Sequence, residues 1–83
     1  MDAQLTKEHV NTIGCRITVR IAQAIKNREL DDNELPEICH FVLVAVDSIT
    51  DTTDMRQFLE TLSRRWPIFA PLTAELIPTI SEG

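Results

Sequence analysis

Glycine is nearly missing from this 83-residue chain, occurring only as Gly14 and Gly83. A phosphate-cradling loop needs several glycines in close succession, so nucleotide-binding motifs of that type are excluded. Tyrosine is absent, and the four aromatic residues sit on apolar stripes, which leaves no platform on which bases could stack. The only cysteines are Cys15 and Cys39. They are too few for a disulfide scaffold and too far apart for a CxxC redox or zinc pair. No apolar run approaches the ~18–20 residues that a membrane-spanning helix requires. The opening stretch, MDAQLTKEHV, lacks the apolar core of a signal peptide, so a cytoplasmic protein without membrane contact is expected.

Basic residues are missing between positions 29 and 54, where eight acidic side chains fall. Residues 1–28 hold five basic and two acidic side chains, and residues 55–83 balance three against three, so the net charge of −5 is concentrated in the middle third. That region would repel nucleic acid. The length fits one domain spanning 1–83. A chain this short buries roughly two-thirds or less of its unfolded surface. Its stability therefore depends on good helix packing or on association.

What is present is helical periodicity. From about Thr6 to Arg28, Val10, Ile13, Gly14, Ile17, Ile21, Ala24 and Ile25 form one apolar stripe at helical spacing. Cys15, Val19 and Ala22 fall on the opposite side, with Thr12 beside them. A helix of a small domain normally needs one apolar stripe. The second must be covered by another helix, by a second copy of the chain, or by a different protein. Gly14 is expected to let a neighbouring helix come close.

A polar connection, ELDDNELPE, follows. Asp32 or Asn33 is expected to cap the second helix, with Glu34 and Glu37 near its positive end and Pro36 in its first turn. That helix runs to about Ile49, with Leu35, Ile38, Cys39, Val42, Ala45, Val46 and Ile49 as its stripe and Phe41 and Leu43 flanking it. The run FVLVAV at 41–46 could by itself be a buried strand. No second strand exists to pair with it, and the upstream caps favour helix. Such an apolar helix is expected at the centre of the bundle.

DTTD at 51–54 offers the next cap, from Asp51, Thr52 or Thr53. Met55, Phe58, Leu59, Leu62 and Trp66 then form a stripe, and Pro67 ends the helix at Trp66. A short fourth helix is expected from about Ala70 to Ile77, with Pro71 in its first turn and Pro78 at its end. The fold class is therefore all-α: a compact bundle of three longer antiparallel helices plus a short C-terminal helix.

Chemistry has little support. His9, Cys15, Cys39 and His40 do not converge as a four-ligand zinc site requires, and both cysteines are expected to act as small buried hydrophobes. A simple hairpin of the first two helices would place Cys15 roughly 12 Å along the axis from Cys39, at ~1.5 Å rise per residue, too far for a disulfide. The acidic run Glu29, Asp31, Asp32, Glu34, Glu37 lacks the spacing and glycine of a calcium loop. No nucleophile stands beside a base in a compact pocket. No catalytic, cofactor-binding or metal-ligating residue is assigned, and the chain is expected not to be an enzyme.

The expected function is a small non-catalytic helical protein-interaction module, self-associating or docking onto a larger partner. The second seam of helix 1, Cys15, Val19 and Ala22, is one candidate partner-binding surface. The cluster Trp66, Pro67 and Phe69 is the other, because tryptophan is common at interface centres, although the place of Trp66 on an apolar stripe suits a core anchor. The alternative is a nucleic-acid-associated regulator using Arg16, Arg20, Lys26 and Arg28 of helix 1 with Arg64 and Arg65. A solvated face with aliphatic stems covering the core explains those same residues.

Overall fold

Thr6 begins the first helix by accepting the His9 N–H on its side-chain oxygen at 3.0 Å. In the computed structural model, which describes residues 5–80, this helix, α1, spans Lys7–Lys26. It stops short of the expected Arg28 in a left-handed turn. Arg28 has φ 59°, the Glu29 N–H donates to the Ala24 carbonyl at 2.8 Å, and the Arg28 N–H donates to Ile25 at 3.1 Å. This is the Schellman arrangement, normally built on glycine. In a chain with so little glycine an arginine takes the position, and nothing in the local sequence announces it.

The second helix, α2, spans Glu34–Ser48, so the FVLVAV segment is helical. Asn33 makes no side-chain cap bond. Instead the Glu34 carboxylate accepts the Asp31 N–H at 3.4 Å while the Glu34 N–H donates to the Asp31 carbonyl at 3.0 Å. The third helix, α3, spans Thr52–Arg65 and is capped by Asp51, whose carboxylate accepts the Asp54 N–H at 2.8 Å. Pro67 holds Trp66 in extended geometry and ends α3 there. A single 3₁₀ turn over Pro67–Phe69 leads into α4, Ala70–Ile80. The fourth helix continues through Pro78 rather than ending before it. Ile80 is buried, and the gain from seating it offsets the backbone bond that proline cannot make.

Apart from one backbone pairing of Leu5 with Thr50, no strand-like contact occurs among the described residues. The core takes Val10, Ile13, Ile17 and Ile21 from α1, and Met55, Phe58, Leu59 and Leu62 from α3. Phe69, Leu72 and Leu76 close it from the 3₁₀ turn and α4. Among the described residues the one buried polar side chain, Thr73, donates to the Ala70 carbonyl at 3.1 Å, so its hydroxyl is satisfied. Gly14 lies against α2: a methyl group there would sit 3.2 Å from Val46 Cγ2. The expected close approach is therefore present. The expectation of one domain over 1–83 extends to terminal residues outside the described ones.

The expected central place of α2 is corrected. α3 packs mainly on α4 and the 3₁₀ turn, while α1 touches α2, α4 and that turn. α2 is the outer helix, with only Ile38 and Val42 buried. Cys15 and Cys39, both expected to be small buried hydrophobes, are exposed, as is Ile25 at 48%. The physical reason is the number of neighbours. A helix apolar around its circumference is buried only if other helices surround it, and 83 residues supply too few.

Candidate functional site

The inner face of α1 fills the core, which turns its other apolar side outward. Cys15, Val19 and Ala22 are exposed, Val19 at 57%. The fourth helix runs beside this seam but does not cover it. Between α1 and α4 lies an open groove of about 380 Å³, walled by Cys15, Val19 and Gln23 on one side and Pro71 and Leu72 on the other. An ion pair of Arg16 with Glu75 at 3.6 Å stands on its rim. Coverage by α4, one of the three ways to shield the seam, is thus not what the fold uses.

On the other side of α1 a second groove, about 390 Å³, separates it from α2. Gly14, Cys15 and Thr18 form one wall, Val42, Leu43 and Val46 the other. Cys15 lines both grooves, so the seam of α1 continues onto the outer face of α2. There Leu43 is 69% exposed, while Val44, 51% exposed, lines a separate groove between α2 and α3; the Cys39 thiol is also open to solvent. Sequence reasoning missed Leu43 and Val44 as surface residues. The signal was the unbroken apolar run itself, which was assigned to burial.

The second candidate cluster is divided. Trp66 is 5% exposed and Phe69 is fully buried, so both side chains belong to the core, while Pro67 is on the surface. Phe41 of α2 packs on Trp66 and Phe58, with ring centroids 5.7 Å and 5.2 Å away. Arg65 lies over the Trp66 ring at 4.6 Å and pairs with Glu37 at 3.5 Å. Its cation is attracted to the ring face and to the carboxylate at once. These contacts fasten α2 to the end of α3.

Compared with known proteins, the chain matches no family model, no curated protein and no solved structure. Its own geometry therefore carries the functional reading.

Several arginines proposed for nucleic acid are engaged internally. The Arg20 guanidinium donates to the Ile68 carbonyl at 3.2 Å and to Glu29 at 2.9 Å. The hydrogen bond from Arg20, with another from Asn27 at 3.2 Å, holds the Glu29 carboxyl below the ordinary glutamate range. Arg16 and Arg65 are paired as described. A phosphate-binding stripe needs several free cations on one face. Among the described residues no three His, Cys, Asp or Glu side chains gather as metal ligands. No helix among those residues is long and apolar enough to cross a membrane.

Proposed function

We propose that the chain is a small non-catalytic helical protein-interaction module of the cytoplasm, acting by self-association or by docking onto a larger protein. The observation that carries this reading is the apolar surface that runs from α1 to α2 through Cys15, in which Val19 and Leu43 are each more than half exposed. Isolated exposed apolar residues are ordinary, but a joined patch over two helices is characteristic of a surface meant to be covered. Two exposed thiols, Cys15 and Cys39, suit a reducing compartment.

The test uses Cys15, which lies where the two grooves meet. With Cys39→Ser leaving one thiol, maleimide labelling is compared between dilute purified protein and intact cells. Slower labelling in cells, abolished by Leu43→Asp in a variant that still gives a helical circular dichroism spectrum, supports the reading. Equal labelling in both settings removes it.

A further inference from the structure

Resting on that reading, we infer that the occupant of the α1 seam is a second copy of this chain, with the two α1 helices packed antiparallel about a two-fold axis. Glu8, Thr12, Cys15, Val19, Ala22 and Lys26 all lie on one line of helical spacing, and all six are exposed. The line is self-complementary. When a copy is turned end for end, Glu8 stands opposite Lys26, Thr12 opposite Ala22, and Cys15 opposite Val19. Both ends of the interface then carry an opposite-charge pair, and its middle is small and apolar. Among the described residues neither Glu8 nor Lys26 forms an ion pair. A two-fold interface requires this property, that one patch complement itself.

The flanks agree with the same arrangement. The side of α1 toward α4 would meet its own symmetry mate at Arg16, a like charge, but Glu75 already pairs with that arginine. On the side toward α2, the 69%-exposed Leu43 borders the seam and extends the apolar contact. Antiparallel helices also set the positive end of one dipole beside the negative end of the other.

Charge exchange tests the register. Glu8→Lys alone and Lys26→Glu alone each place two like-charge pairs in the homodimer. Each should weaken dimerisation by about tenfold, the scale of two exposed ion pairs reversed. Mixed together, the two variants face each other with two attractive pairs, and a heterodimer should form at about the affinity of the parent. Each substitution also opposes the dipole of its own helix, but that effect persists in the mixture and cannot produce the recovery. Sedimentation equilibrium from micromolar to millimolar protein, with one variant mass-tagged, reads the outcome. A dimer whose variants show no preference for each other overturns the inference, as does a parent chain that stays monomeric throughout. If Cys15 of that monomeric parent is nevertheless shielded in cells, the interaction reading survives with a different protein as occupant. If it is not, both fall.

Discussion

Arg20 and Glu29 form an ion pair at 2.9 Å across the turn that ends α1, and the same guanidinium also binds the carbonyl of Ile68 between α3 and α4. One side chain therefore joins α1 to the turn that follows it and to a segment 48 positions away. An exposed ion pair is screened by salt, so its contribution is best read by its pH dependence.

Because the folded-state pKa of Glu29 is depressed, its stabilising effect is complete above the ordinary glutamate pKa and lost as pH falls through the lowered value. The urea midpoint of the parent should exceed that of Glu29→Gln at neutral pH. The gap should close as the solution is acidified below the glutamate range. A gap that stays constant with pH would mean that the charge is not its source.

Arg28→Gly should stabilise the protein. Arg28 is the one described non-glycine residue with positive φ, at 59°. The left-handed conformation costs an L-residue roughly 1–2 kcal/mol, and the extra chain entropy of glycine takes back about 0.5–1 kcal/mol of the relief. A net gain of up to about 1 kcal/mol is expected in a denaturant titration. A loss would show that the Arg28 side chain makes contacts worth more than the strain.

Trp66→Ala should cost about 3–5 kcal/mol, the usual range for removing a large buried aromatic side chain. The ring is 5% exposed and packs against both Phe41 and the Arg65 guanidinium, which also lies over Phe41. The truncation also loosens α2, whose aromatic contacts to the rest of the bundle run through Phe41. A variant that melts with the parent would place Trp66 outside the folding core.

Gly14→Leu should force α1 and α2 apart, since even a methyl group there would lie 3.2 Å from Val46 Cγ2. Overpacking of this kind typically costs about 1–3 kcal/mol. The better helix propensity of leucine, worth up to about 1 kcal/mol, offsets part of it. Hydrogen exchange should quicken in α2 before α3, because α3 does not depend on this contact. Uniform quickening would mean that the two helices unfold as one unit.

Helix identity was legible because its signals are local. Thr6 and Asp51 cap with their own side chains, Pro67 stops α3, and the stripes Val10–Ile21 and Met55–Leu62 repeat at helical spacing and become the core. The second seam of α1 was equally legible, since Cys15, Val19 and Ala22 lie opposite the core stripe on the same helix. Less legible were the ends that depend on distant packing. The fourth helix passes through Pro78 because Ile80 finds a buried site, and that site is made by other helices.

Periodicity and capping act over one or two turns, so the helices and the two-sidedness of α1 are written into the local residue pattern. Which apolar faces stay uncovered depends on how the helices pack. Leu43 and Val44 have the same local character as the buried Val42, and they differ only in whether a neighbouring helix reaches them. The same packing brings Arg20 to the Ile68 carbonyl, 48 positions away, rather than leaving it on a solvated face. Burial and long-range hydrogen bonding depend on which elements surround a side chain, and no local pattern carries that information.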